Sequence, residues 1–299
     1  MSTNASTMRG TVAYLAYRFV RWLGFTLPVH RGRRIFGRAG LLAHDLLPGL
    51  RGTVAANQAQ LLGRPASDPL VRASTRDAFA AYGRYWFDSF NVARRSDDWM
   101  LERLRPVDDH HLFDPLEAGT GVIVAMPHVG NWDAAGRWLV AKGHRCISVA
   151  EELEPPELFA LFKEHREQMG MDILALTDRN VGRRLSSALA DDRVVSLVAD
   201  RDLTGRGVQV SMFGRSRTLP AGPALLSLTS GAPLITAACY QTADGWLCQF
   251  RGPLRVEPSG DRRKDVVALT ELLAAELECL ISAAPSDWHV FQPGWPEPR

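Results

Sequence analysis

Lysine is scarce in this chain of 299 residues: it stands only at 142, 163 and 264, against thirty-two arginines, a bias that reflects a GC-rich coding sequence more than a function. Cysteine is scarce too. Cys146, Cys239, Cys248 and Cys279 form no CxxC pair and lie in or near apolar runs, which points to reduced core residues in a cytosolic compartment. There is no uninterrupted long apolar run near the start, and the first apolar segment lacks a small-residue cleavage site, so no signal peptide is expected. Arg18 and Arg21 fall near the middle of that segment. Each would cost about 2.5 to 3.5 kcal/mol at a bilayer centre, which argues against a transmembrane helix. Several chemical signatures are missing as well. No G-x-S-x-G elbow, Walker A loop, strand-turn-helix G-x-G-x-x-G, HExxH or clustered Cys/His set occurs. Serine hydrolysis, nucleotide binding of those types and zinc chemistry therefore lose their usual carriers, and neither a metal site nor a bound cofactor is expected. His110 and His111 stand alone in a polar stretch and read as surface residues. No repeat, low-complexity tract or nucleic-acid module appears, so no nucleic-acid partner is expected.

What is present is a hydrophobic content of 46%, enough for a substantial core in one large α/β domain or two small ones. Short β-branched runs alternate with helical periodicity. Gly121–Met126, Arg145–Ala150, Asp172–Leu176 and Val194–Ala199 read as buried strands, separated by helices from about Asn131, over Pro156–Met169 and over Val181–Ala190. This alternation predicts βαβ units and a central, largely parallel sheet flanked by helices in one domain over residues 1–299. Downstream, a polar-faced strand at Val208–Phe213 turns at Gly214-Arg215-Ser216. A hairpin across Ala243-Asp244-Gly245, a long helix from Arg262 to Ala284 and an aromatic tail, Trp288-His289-Val290-Phe291 with Trp295, close the chain.

The amino-terminal fifty residues differ in character. Met1 to Arg51 holds eight Arg and one Asp, a net +7, which leaves −5 for the remainder. Thr11 to Val29 places aromatic residues on one side and arginines on the other, with Arg31, Arg33, Arg34 and Arg38 just behind. This pattern fits a basic amphipathic region lying on anionic lipid, and equally a helix packed against the core. Phe79, Tyr82, Trp86 and Phe90 form an aromatic stripe on the helix from Leu70 to Asn91, either a core face or the wall of an apolar groove completed by Trp132 and Leu139.

The stretch Met126-Pro127-His128-Val129-Gly130-Asn131-Trp132-Asp133 follows a buried strand and opens a helix. Pro127 ends the ladder, so His128 falls at the carboxyl edge of the sheet, where ligands bind in open α/β folds. A His-x4-Asp/Glu spacing arises about once by chance in a chain with this many histidines and acids, so the spacing alone carries little. Two readings stand. Asp133 either tunes His128 as a general base, or it only favours the helix amino terminus while His128 is a loop residue. Other acids reach the same edge: Glu151 and Glu152 after one strand, Asp200 and Asp202 after another, each also a possible helix cap.

Pro127-His128-Val129-Gly130-Asn131-Trp132-Asp133 resembles the H-x4-D/E motif of the lipid A late acyltransferases and their actinobacterial relatives, the phosphatidylinositol mannoside acyltransferases. Ala199-Asp200-Arg201-Asp202, Met212-Phe213-Gly214 and Leu219-Pro220-Ala221-Gly222-Pro223-Ala224 are also similar to that family, and the likeness runs from about Thr11 to Trp295. The resemblance implies a glycerolipid-acyltransferase-like fold and a membrane-surface enzyme that moves a long acyl group, palmitoyl being favoured, from acyl-CoA to a mannose hydroxyl of phosphatidylinositol mannoside. Acyl-CoA is then a substrate and no cofactor is needed. It implies His128 as base without a covalent intermediate, Asp133 or Asp202 as its partner, and Asp200 or Asp202 supporting the histidine or the sugar. Glu151 and Arg166 resemble positions that hold the acceptor's polar head, and Asn131, Trp132 and Asp200 join them as substrate contacts. The implied location is peripheral, on the cytoplasmic face of the inner membrane, with anionic lipids as partners. Lipid A acylation and non-catalytic lipid binding are the alternatives.

Overall fold

The computed structural model describes residues 15, 17–152 and 155–295. The expected start of the first helix, from Thr11 to Tyr14, lies outside them. A seven-stranded sheet occupies the centre: β1 (Leu104–Val107), β2 (Val122–Met126), β3 (Cys146–Ala150), β4 (Met171–Ala175), β5 (Val194–Val198), β8 (Leu234–Gln241) and β9 (Trp246–Leu254). Its order is β1-β9-β8-β2-β5-β3-β4. Every neighbouring pair is parallel except the β8–β9 hairpin. The separate hairpin of β6 (Val208–Met212) and β7 (Arg215–Leu219) is antiparallel.

Strand β2 shows why its sequence is apolar without interruption. Ile123 and Ala125 pack into one core with Leu185, Leu189, Leu273 and Leu277, while Val122, Val124 and Met126 pack into another with Leu112, Trp138 and Ile173. Both faces are covered by helices, so neither side of the pleat meets water. One core lies under α9 (Val181–Ala190), α10 (Gly222–Ser230) and α11 (Arg262–Ala283), and the other under α5 (Asp97–Arg103), α6 (His110–Glu117) and α7 (Trp132–Ala141). α8 (Pro156–Gln168) packs on β4.

The helices ahead of the sheet are a helix over 17–26 (α1), α2 (Val29–Leu46), α3 (Pro48–Leu62) and α4 (Pro69–Val92). α2 and α4 approach closely because glycine lines the contact. A Cβ on Gly40 would stand 2.0 Å from the Phe79 carbonyl oxygen, and one on Gly83 would stand 2.2 Å from that of Phe36. Between them Arg33 grips both carboxylate oxygens of buried Asp88 at 2.7 and 3.0 Å, and it also donates to the carbonyls of Thr242, Ala243 and Gly245. One guanidinium thus ties the helical region to the β8–β9 turn. No described helix is long and apolar enough to cross a membrane.

Three stretches differ from the expectation. The polar connection after Asn91 contains α5 and the edge strand β1, the stretch with His110 and His111 forms α6, and the turn at Gly214-Arg215-Ser216 runs straight into β7. β1 has four residues and includes Pro106, tolerable because it sits at a sheet edge. In β7 the inward position is Arg217, a buried charge where a strand pattern calls for an apolar residue.

Replacing Arg33 by alanine should leave the Asp88 carboxylate and three carbonyls without their cation. A loss of about 3 to 5 kcal/mol in unfolding free energy is expected. The double replacement with Asp88→Ala should cost less than the sum of the single losses, as urea unfolding of the four proteins would measure.

Candidate active site

Parallel pairing sets the site. β2 and β5 are in register with Met126 beside Val198. Residues two steps beyond each strand end are therefore His128 and Asp200, and the chain delivers them to the same point. Pro127 stops the ladder, and the next residues are stitched to other elements. Gly130 N donates to Asp287 O at 2.9 Å, and Asn131 N donates to Cys239 O at 2.8 Å. Gly130 lies at φ +64°, and a Cβ there would stand 1.9 Å from the Cys239 carbonyl oxygen, so only glycine allows this close approach to β8.

Asp200 is wholly buried and uses both oxygens. Oδ1 lies 2.5 Å from His128 Nδ1, while Oδ2 accepts the His128 backbone N–H at 3.0 Å and Trp288 Nε1–H at 2.7 Å. Its backbone carbonyl accepts from Arg217 Nη2 at 2.5 Å. Burial pushes the Asp200 carboxyl up, but the charge and hydrogen bonds of His128, with Arg217 behind, outweigh it and hold the group well below the usual carboxylate range. An ionised carboxylate only accepts, so Nδ1 carries a proton, and in the neutral form of the ring the lone pair is on Nε2. His128 is partly exposed, and its ring lines an open cleft of about 310 Å³.

The pairing expected from the motif is different in the structure. Asp133 is not bonded to His128; it accepts from Arg166 Nε at 2.7 Å, Ser89 Oγ at 2.5 Å and Tyr85 Oη at 3.0 Å. The reason is geometric: once α7 begins at Trp132, the next residue turns away from the loop and toward α4 and α8. Burial raises Asp133, and the Arg166 charge and hydrogen bond with Ser89 more than reverse it, so it too stays ionised. Asp202 is not beside His128 either. Its carboxylate accepts from Thr204 N, Thr204 Oγ1 and Gly207 N at 2.8 to 2.9 Å and so organises its own loop, as a short acid near free amides does.

The remaining expected contacts divide. Trp132 stands edge-on to His128 at 5.3 Å and lines the cleft, as do Arg166, Tyr82 and Trp86. Asn131 is buried and caps α7 through Ala134 N at 2.9 Å, so it shapes the loop instead of facing the cleft. Asp200 lies beneath His128, fully buried, and does not line the cleft. Phe79 packs on His44 and Phe291, and Leu139 fills the core, which removes both from the expected groove wall. Glu151 is exposed at the rim where the cleft meets a second, mostly apolar cavity of about 430 Å³ lined by Leu176, Leu185, Leu197, Leu225 and Leu226. Val149, Ala150, Val198, Arg201 and Leu203 also belong to both. No group of three or more His, Cys, Asp or Glu among the described residues is arranged to hold a metal ion.

Sequence reasoning missed Tyr85, Ser89, Arg217, Trp288 and His289. The tail reaches the site as a strap: Val129 bridges Trp288, and His289 N donates to His128 O at 2.7 Å. The one signal was an aromatic tail with a histidine in it. Burial pushes His289 down to about 3 and His165, which donates from Nε2 to Ser89 O at 3.0 Å, down to about 4. Both rings are neutral when folded, whereas an unfolded histidine titrates near 6.5. The unfolded chain therefore binds more protons below that pH, and stability falls as pH falls. Relative to pH 8, unfolding at pH 5 should be easier by about 2 kcal/mol for each of the two histidines. Equal urea midpoints at the two pH values would refute the neutral, buried assignment.

The family described as bacterial lipid A biosynthesis acyltransferase matches residues 2–297. A phosphatidylinositol mannoside acyltransferase of Mycolicibacterium smegmatis is 40% identical over 245 residues, covering 80% of this chain and 77% of that protein. The protein of the same name from Mycobacterium tuberculosis H37Rv is 39% identical over 247 residues, covering 80% and 75%. A match over nearly the whole length, together with relatives this similar, places the chain in the bacterial lipid A biosynthesis acyltransferase family.

Proposed function

We propose that this acyltransferase moves a long-chain acyl group from acyl-CoA to a mannose hydroxyl of phosphatidylinositol mannoside, with His128 as general base. The observation that carries the mechanism is the His128–Asp200 pair, with Nδ1 bound inward to a buried carboxylate and the ring open to the cleft. Nε2 takes the proton from the acceptor hydroxyl as its oxygen attacks the thioester carbonyl. The C–O bond forms, the C–S bond breaks, and CoA leaves as a thiol with the proton that His128 carried. Asp200 stabilises the imidazolium and fixes its tautomer. No covalent acyl-enzyme is needed. Asp133 has a different part: it holds Arg166, Tyr85 and Ser89 as one wall of the cleft.

The acceptor follows from the names of the relatives, and the donor from the shape of the site. A long acyl chain in water loses about 0.8 kcal/mol for every methylene not buried, so a lipid donor calls for an apolar recess beside the base. The apolar cavity that opens onto the cleft at Val149, Val198 and Leu203 fits this need. Parallel assays of palmitoyl-CoA with phosphatidylinositol mannoside and with a lipid A precursor test the reading. Transfer to the lipid A precursor alone would overturn the acceptor.

The protein is placed by this reading on the cytoplasmic face of the inner membrane as a peripheral protein. Tyr17 and Gly24 of α1 face inward to Phe90, while Leu15, Phe19 and Trp22 are exposed. α2 adds exposed Ile35, Leu42 and Leu46 among Arg31, Arg34 and Arg38. An apolar face that the fold leaves uncovered, edged by cations, suits anionic lipid.

Two outcomes are expected. His128→Ala and Asp200→Asn should each lower kcat by about 10²- to 10⁴-fold with far-UV circular dichroism unchanged, whereas Asp202→Asn should stay within about tenfold of wild type. Near-normal turnover of the Asp200 variant would remove the pair from the mechanism. Sedimentation with anionic vesicles should weaken as salt rises, each surface cation being worth about 1 kcal/mol, and the Phe19→Ser/Trp22→Ser protein should bind less at every salt concentration. Equal binding to neutral and anionic vesicles would count against the basic face.

A further inference from the structure

Attack of a hydroxyl on a thioester leaves a negative charge on the former carbonyl oxygen, and acyl transfer is fast only where donors are aimed at it. Backbone N–H groups often supply them. Here the motif loop has none to spare: His128 N donates to Asp200 Oδ2, Val129 N to Pro127 O, Gly130 N to Asp287 O and Asn131 N to Cys239 O, at 2.7 to 3.0 Å. Just past β5, Ala199 N donates to Met126 O at 2.8 Å. Arg166 of the cleft spends its Nε on Asp133.

The place of the reacting carbonyl follows from its two ends. Its alkyl chain lies in the apolar cavity on the reading above, and its carbon meets a hydroxyl whose proton goes to His128, so the thioester sits where cavity and cleft join. The residues lining both are Val149, Ala150, Glu151, Val198, Arg201 and Leu203. Only Glu151 and Arg201 carry polar side chains, and a carboxylate repels an oxyanion. The Arg201 side chain is half-buried and makes no hydrogen bond or ion pair among the described residues, yet none of its guanidinium nitrogens is sealed away. The acid next to it, Asp202, is turned to Thr204 and Gly207 instead. The Arg201 charge is felt at the hydroxyl of Tyr82, which lines the cleft, and at Arg217 behind Asp200, so the cation stands beside the reacting centre. A guanidinium left open there is explained by a negative charge that forms only during the reaction.

We propose that Arg201 is a further catalytic residue, donating N–H bonds to the thioester oxygen as it becomes an oxyanion. The proposal rests on the thioester reading above and adds a residue to it. As the acceptor oxygen bonds to the carbonyl carbon, the π pair moves onto oxygen and is met by the guanidinium; it returns when the C–S bond breaks, and the sulfur takes the proton from His128. Arg201 exchanges no proton, because its guanidinium stays charged throughout.

The test reads the chemistry apart from binding. With full-length protein, palmitoyl-CoA and phosphatidylinositol mannoside in mixed micelles, Arg201→Ala should lower kcat by about 10²- to 10³-fold while the KM of each substrate stays within about threefold. Arg201→Lys keeps a cation without the planar fork and should lose less. The slow hydrolysis of palmitoyl-CoA without acceptor should fall in the same proportion, because attack by water passes through the same oxyanion. Millimolar methylguanidinium should restore part of the lost kcat to Arg201→Ala and leave wild type unchanged, which a merely structural defect would not allow. A KM raised for either substrate with kcat retained overturns the proposal, since Arg201 would then be a clamp for a phosphate group. So does the absence of any rescue. Wild-type protein that cleaves palmitoyl-CoA but acylates no mannoside lipid would sink the acceptor reading, and the hydrolysis rates of the variants would still decide the role of Arg201.

Discussion

A buried carboxylate under a histidine is the constraint on which the rest of this structure depends. Asp200 is buried away from the surface, and its charge persists because two N–H groups of His128, the indole of Trp288 and the charge of Arg217 surround it. Each of these donors comes from a different part of the chain. β2 and β5 supply the pair itself through their register, β7 supplies the arginine, and the carboxyl-terminal strap supplies the tryptophan. Arg217 in turn lies over the rings of Trp288 and Trp295, at 5.3 and 5.2 Å, so the cation that supports Asp200 is itself held by the tail. Burying a charge is costly unless its partners are pre-placed, and here the whole carboxyl edge of the sheet is arranged to place them.

A second buried charge set, Asp133 with Arg166, Tyr85 and Ser89, stands on the other side of the cleft. It joins α7, α8 and α4, the three helices that wall the site. The two networks share the motif loop but no hydrogen bond, which separates the tuning of the base from the shaping of the cleft. This arrangement gives the H-x4-D spacing a physical meaning that differs from a catalytic dyad. The histidine looks to a neighbouring strand, and the aspartate looks to the helices above.

Much of the scaffold was legible because its signals are local. The β-branched runs at Val122–Met126 and Val194–Val198 read as buried strands, and the helices at Val181–Ala190 and Arg262–Ala283 follow their periodicity almost to the residue. β1 and β7 were not legible: one is a four-residue edge strand, and the other buries an arginine for an electrostatic purpose that no hydrophobic pattern announces. The aromatic stripe of α4 divided likewise, Tyr82 and Trp86 reaching the cleft and Phe79 going to the core, since a periodic stripe is wider than the wall it meets.

The sequence by itself determined that His128 follows a buried strand at the ligand edge of a parallel sheet, that acids gather at the same edge, and that the first fifty residues are basic and amphipathic. These are properties of neighbours along the chain, and periodicity and composition record them. Only the tertiary structure decided that Asp200, and neither Asp133 nor Asp202, meets His128, and that Trp288 and His289 close the site from about 160 residues away in the chain. That choice depends on the register between β2 and β5 and on where the tail lies across their ends. Both are set by long-range packing, and no spacing within one segment encodes them.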